Sequence, residues 1–146
     1  MKSKCIKAQH WLNRNYNAYR KLEADKRMLE VMKNRLGSGV SKYESDGSES
    51  HDTDKARARH EDALLDFSEL KGKIEKEERR LFAETVETKA KIDQLDDPTL
   101  QAIATDRYIN CLKWEDIARL EHISSAQLYR FNTKMLEQMA DILKIY

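Results

Sequence analysis

Between residues 4 and 36, Leu12, Tyr16, Tyr19, Leu22, Leu29, Met32 and Leu36 recur at spacings of three, four or seven, which places them on one face of a helix. No proline or glycine interrupts the stretch, so at about 1.5 Å per residue it predicts a helix of roughly 50 Å. Gly37 stands where a C′ residue would end it, with Arg35 in the last turn. Residues 37–54, GSGVSKYESDGSESHDTD, show no period and hold three of the four glycines and five serines. They predict a mobile, acidic connector. From about Thr53 to Leu95 a seven-residue pattern returns in Ala63, Phe67, Leu70, Ile74, Leu81, Thr88, Ile92 and Leu95, weakened at Glu77 and Glu84. Most other positions are charged, with i,i+4 pairs such as Glu69–Lys73. So polar a helix needs a partner stripe, and the first helix supplies one. The prediction is a long antiparallel coiled-coil arm over residues 1–96 with a flexible linker at 37–54. Gly72 reads either as a tolerated surface glycine or as a hinge or close contact.

The pattern changes at Asp97-Pro98, an N-cap followed by proline at the first helical position. Apolar density then rises through Leu100, Ile103, Ala104, Tyr108, Ile109, Leu112, Trp114, Ile117, Ala118, Leu120 and Ile123. Residues 97–146 therefore predict a small helical domain of roughly 50 residues, marginal on its own. Within it, Trp114–Leu120 reads as a short helix, Glu121–Ile123 as a turn and Ser124–Leu143 as a longer helix. Ala118 is the small residue a crossing needs, and Ile117, Ile123, Leu128 and Phe131 point inward. Ser124 with Gln127 three residues on forms a capping box. The pattern is that of a helix-turn-helix, against which stands a plain helical hairpin packed on the arm.

Such a motif lays its second helix in a major groove while the first crosses the backbone. Ser125, Ala126, Gln127, Tyr129 and Arg130 would then face the groove, with Gln127 suited to adenine and Arg130 to guanine or phosphate. Lys113, Arg119 and Lys134 are phosphate candidates, each also readable as an ordinary solvated charge.

Composition narrows the classes. The 146 residues carry 27 Lys+Arg against 26 Asp+Glu, one proline and four glycines, which excludes collagen-like and β-rich readings. The near-zero net charge conceals an asymmetry. Residues 1–36 carry +7, residues 37–66 −4, residues 67–97 −2 and residues 98–146 zero. Attraction to a polyanion is thus expected mainly in the N-terminal arm. There, KSKCIKAQHWLNRNYNAYRK interleaves bases with Trp11, Tyr16 and Tyr19, readable as a nucleic-acid grip or as helix core flanked by solvated lysines. No stretch is long and apolar enough for a membrane span, and the basic start lacks the apolar run of a signal peptide. Cys5 and Cys111 read as reduced thiols of a cytoplasmic protein. The four histidines are scattered, no metal-ligand spacing occurs and no glycine-rich phosphate loop is present, so neither catalysis nor a cofactor is expected.

The stretch RYINCLKWEDIARLEHISSAQLYRFNTKML resembles the fourth region of bacterial sigma factors. It is similar to phage and prophage regulators of the ArpU and RinA type, which join a helical arm to a sigma-like C-terminus. The likeness is carried by Arg107-Tyr108-Ile109, Trp114 through Ala118, Ser124 through Arg130, and Met135-Leu136. It implies double-stranded DNA as partner, transcription regulation of phage late or packaging genes, and action in a bacterial host's cytoplasm. The chain departs from the pattern at Lys113, where a capping Ser/Thr is usual, at Glu121, where an apolar residue is usual, and at His122, the turn glycine. Ser125 and Gln127 stand where sigma factors place arginines. The alternatives are an interaction protein that engages RNA polymerase or another host protein without DNA, and a small terminase-like packaging component. The arm makes a homo-oligomer a further expectation.

Overall fold

The computed structural model describes the backbone of residues 2–45 and 50–145, and side chains from 2–37 and 53–145. Among these residues the chain is all-α with no strand: α1 (Ser3–Ser45), α2 (Ser50–Ile92), α3 (Pro98–Ala104), a π-helical turn (Thr105–Ile109), α4 (Trp114–Glu121) and α5 (Ser125–Ile142). The helix end expected at Gly37 is overturned, because α1 continues through it to Ser45. The connector expected over 37–54 is accordingly helical at 37–45 and 50–54, and residues 46–49 lie outside the described residues. Gly72 is exposed, with no atom within 4 Å of where a Cβ would stand, so it is a surface glycine in an unbroken helix.

Packing divides the chain into two units, residues 20–79 and residues 1–19 with 80–146. In the first, Leu22 and Ile74 are buried, and Leu29, Met32, Leu36, Ala63, Phe67 and Leu70 are half-buried. The apolar periods of both helices thus mark the sides that leave solvent. Lys26 Nζ lies 3.4 Å from a Glu78 carboxylate oxygen, while Met32 and Leu36 line one groove with Ala56 and Ala63, so the two helices run antiparallel. Toward the far end of this pair Ala56 and Ala63 stand with Met32 and Leu36, and the small side chains leave a groove of about 350 Å³.

In the second unit the same antiparallel pairing is fixed by polar groups. Arg14 meets Glu87 at 3.3 Å, and buried Asn15 donates through Nδ2 to the hydroxyl of buried Thr88. A buried polar pair between helices penalises every shifted register, since a slip leaves both groups unbonded. Tyr19, expected on the apolar face, is 41% exposed instead, and Asn15 lies inside.

The main core of this unit joins Cys5, Ala8 and Leu12 of α1 and Ile92 of α2 to Leu95, Leu100, Ala104, Tyr108, Met135, Leu136, Met139 and Ala140. Burying a large aliphatic side chain such as Leu12 contributes about 1.5–3 kcal/mol, and the smaller Cys5 and Ala8 add to it, so α1 adds materially to what residues 97–146 bury among themselves. The compact body is therefore broader than the segment 97–146 that composition marked off. The start of α3 follows the sequence signals: Pro98 occupies its first turn and the Asp97 carboxylate accepts the Thr99 N–H at 2.8 Å. Beyond it the helix widens, with the Asn110 N–H reaching the Thr105 carbonyl at 2.9 Å, and this turn buries Tyr108.

Burial pushes the Tyr108 hydroxyl up to about 12 from 10.0, while a Gln9 hydrogen bond and the Arg107 charge pull the other way. The folded state thus holds this proton to higher pH than the unfolded chain. Its contribution is complete below about pH 10 and is lost as pH rises through about 12, a difference of roughly 2–3 kcal/mol. Denaturant unfolding across that range should show a stability loss in the wild type that is smaller by this amount in Tyr108→Phe. Parallel curves for the two proteins would contradict the assignment.

Candidate nucleic-acid interface

Helices α4 and α5 meet around Ile103, Ile117 and Leu128, with Leu112, Trp114, Ala118, Ile123 and Phe131 packed on them. The inward positions read from the sequence are all in this cluster. Leu120 is not. Read as part of the domain's apolar density, it is 60% exposed on the outer side of α4. Lys113 is the N-cap of α4 and supplies no side-chain cap. At the other end His122 takes φ 56° and ψ 44°, the left-handed conformation the chain must adopt to leave α4. Ser124 then caps α5. Its hydroxyl accepts the Gln127 N–H at 3.1 Å, and the Gln127 Oε1 accepts the Ser124 N–H at 3.0 Å.

The position of α4 depends on Arg107. Its guanidinium lies 5.1 Å from the Tyr16 ring centroid and 4.8 Å from that of Trp114, and donates to the Leu112 carbonyl at 3.0 Å. Tyr108 meets Trp114 edge-on with ring centroids 6.4 Å apart, and its hydroxyl donates to Asn132 Oδ1 at 3.5 Å. One cation thus links α1, the π-turn and the first residue of α4. Cation–π contacts of this kind contribute about 0.5–2 kcal/mol each, more as water is excluded. Neighbouring Cys111 has φ 60°, and its burial pushes the thiol up.

The seven candidate residues all lie on the surface of this helix pair. Ser125, Gln127, Tyr129 and Arg130 are exposed on the first turns of α5, Tyr129 at 65%, and Lys134 follows one turn on. Gln127, Arg130 and Lys134 are spaced i, i+3, i+7 and share one face. Lys113, Arg130 and Lys134 make no ion pair among the described residues. Arg119 differs, since its guanidinium is paired with the Asp116 carboxylate and reaches the Glu115 carbonyl. Gln127 also has less to offer than its side chain suggests. The backbone N–H of Ser124 takes one lone pair of the amide oxygen and ties that end of the side chain to the cap, so the Nε2 donor is the freer end. Adenine's donor–acceptor pair needs both ends of the amide, whereas guanine N7 and O6 need donors only.

The basic N-terminal helix is partly neutralised within its own unit. Lys2 meets Glu137 at 3.7 Å, Lys4 meets Asp141 at 3.8 Å, and Arg14 lies over the Trp11 ring at 4.1 Å as well as beside Glu87. Trp11 packs on the core and Tyr16 lies under Arg107, which supports the reading of these aromatics as structural. Among the described residues no group of three or more His, Cys, Asp or Glu could hold a metal, and no helix is long and apolar enough to cross a membrane. Sequence reasoning met Arg107 only within the sigma-like stretch and Leu120 only as part of the apolar density, and so missed the first as the link between helices and the second as a surface residue.

No protein-family model matches this chain, and neither a curated protein nor a solved structure matches it.

The turn between the helices yields a stability prediction. A non-glycine residue held in the left-handed region costs about 1 kcal/mol or more, and glycine removes that cost. His122→Gly should raise the midpoint of thermal unfolding, while Ser124→Ala should lower stability by about 1 kcal/mol through loss of the cap. A lowered midpoint for His122→Gly, or an unchanged one for Ser124→Ala, in circular-dichroism melts would contradict the local geometry.

Proposed function

We propose that this chain is a DNA-binding transcription regulator of phage type, acting on late or packaging genes in the cytoplasm of a bacterial host. In this reading α4 and α5 form a helix-turn-helix and the paired long helices a coiled-coil arm. The observation that carries it is the division of α5. Its first two turns expose Ser125, Ala126, Gln127, Tyr129 and Arg130, while Leu128 is buried and Phe131 packs inward. A helix that is anchored along one side and leaves its N-terminal turns to solvent has what major-groove entry requires. The likeness of residues 107–136 to sigma region four and to ArpU- and RinA-type regulators supports the same conclusion. Lys113, Arg130 and Lys134 are the phosphate contacts, Arg130 doubling as a guanine reader. Arg119 joins them only by leaving Asp116.

A second reading is favoured by Leu120 and Tyr129, both largely exposed on the outer surface of the pair. Here that surface engages RNA polymerase or another host protein, and DNA is not read. Aromatic anchors with few charges suit a protein partner better than a phosphate backbone.

Fluorescence anisotropy with a pool of duplexes, titrated with salt, separates the two. Three phosphate contacts give a slope of log affinity against log salt of roughly −3. Arg130→Ala should weaken binding about tenfold, and Gln127→Glu, which retains the capping box but loses the donor, should weaken it without lowering thermal stability. Binding that responds to neither substitution nor to salt would remove DNA reading and leave the protein-only role.

A further inference from the structure

Helix α2 presents to solvent an apolar stripe that none of the described residues covers. Phe82 is 72% and Val86 54% exposed, and Ala83 and Ala90 are exposed beside them. A phenylalanine left open to that degree, in the middle of a helix and one turn from an exposed valine, is unfavourable in water. We propose that this stripe is the contact of a symmetric dimer, in which α2 of one copy packs antiparallel against α2 of a second copy about a two-fold axis at Val86. The inference stands apart from the DNA reading.

The order of residues around Val86 identifies the occupant. A two-fold axis there sets each residue opposite the one equally far on the other side of Val86 in the partner copy. Four residues away on either side stand Phe82 and Ala90, so each large ring meets a small side chain rather than another ring. Seven residues away stand exposed Arg79 and Asp93, so a cation at one rim faces a carboxylate at the other, twice. Three residues away are Ala83 and Lys89, and the lysine stem can lie over the alanine. Positions 79, 82, 86, 90 and 93 recur at three- and four-residue steps, so helix geometry alone keeps them on one face, with 83 and 89 at its edges. The Asp93 N–H still bonds the Lys89 carbonyl at 2.9 Å, so that residue remains in helical register. Its carboxylate already takes the Lys89 ammonium at 2.6 Å and has room for a second donor. A parallel pairing would instead stack Phe82 on Phe82 and Arg79 on Arg79. An unrelated partner gives no reason for a sequence that complements its own reversal. The patch is narrower than a standard interface, so association is reversible and depends on concentration.

Sedimentation of the full chain over a wide concentration range should show a monomer–dimer equilibrium. Phe82→Glu should raise the dissociation constant at least about tenfold with an unchanged melting curve, since the side chain is exposed in the monomer. Val86→Cys should form an intermolecular disulfide under mild oxidation, as only a residue on the axis meets its own copy, whereas wild type with Cys5 and Cys111 should not. Arg79→Asp should weaken the dimer and Arg79→Asp with Asp93→Arg should restore it. A monomer at every concentration, or a dimer indifferent to Phe82→Glu in which Val86→Cys stays reduced, overturns the proposal. So does a monomer that needs Phe82 to capture a different protein.

Discussion

The unit made by residues 1–19 and 80–146 depends on apolar burial along the second half of α5. Met135, Leu136, Met139 and Ala140 are fully buried in one cluster with Cys5, Ala8 and Leu12 of α1. Leu128 and Phe131 turn toward Ile103 and Ile117 in a second cluster, and Phe131 touches both. One helix therefore serves two cores, and its direction is fixed at its C-terminal end. Among the described residues nothing packs on the outer side of its N-terminal turns, which is why Ser125 to Gln127, Tyr129 and Arg130 remain in water. The same burial makes the α1 root part of the fold rather than an appendage. A segment of roughly 50 residues closes a smaller share of its surface than a stable domain needs, and the borrowed side chains supply the difference.

What the sequence made legible is local. Asp97-Pro98, the Ser124–Gln127 box and the strained His122 each act within one turn, and each appears where its chemistry puts it. The periodic stripe of α2 was also readable, since burial on one face needs only spacing. What stayed hidden depends on distant partners. Asn15 is one polar letter beside Asn13, Arg14 and Asn17, and only Thr88, 73 residues away, makes it a core residue. Gly37 was misread because a helix cost of about 1 kcal/mol is small against a helix that propagates at little cost once nucleated. The π-turn at Thr105–Ile109 has no compositional mark, because it arises from fitting Tyr108 into the core. The candidate site divides differently: exposure on α5 follows from periodicity, and the Arg119–Asp116 pair, three residues apart in α4, was equally local though not drawn from the spacing, whereas the outward turn of Leu120 depends on how α4 packs.

Charge and shape pull differently across this surface. The shape leaves two turns of α5 free, yet residues 98–146 have no net charge, and one of the surface cations is already paired. The basic excess of residues 1–36 does not simply make up for this, because Lys2 and Lys4 lie beside acids of α5 itself. These pairs are exposed and individually worth little, so they redirect the field more than they stabilise the fold. On the proposed reading, affinity per molecule is low and depends on a few contacts, and linking two molecules raises it without any new contact.

Within the first turn of α5, folding and reading compete for the same atoms. Ser124 and the Gln127 oxygen satisfy two backbone N–H groups that would otherwise cost about 1 kcal/mol each, and atoms so held are less free to turn toward a base. What remains outward is one amide donor, a serine hydroxyl, an alanine methyl, a tyrosine ring and a guanidinium. That set favours acceptor edges and methyl groups over patterns needing a donor and an acceptor together. On the proposed reading, a recognition helix that has to cap itself is thus narrowed in what it can distinguish, and the narrowing is set by the backbone before any partner arrives.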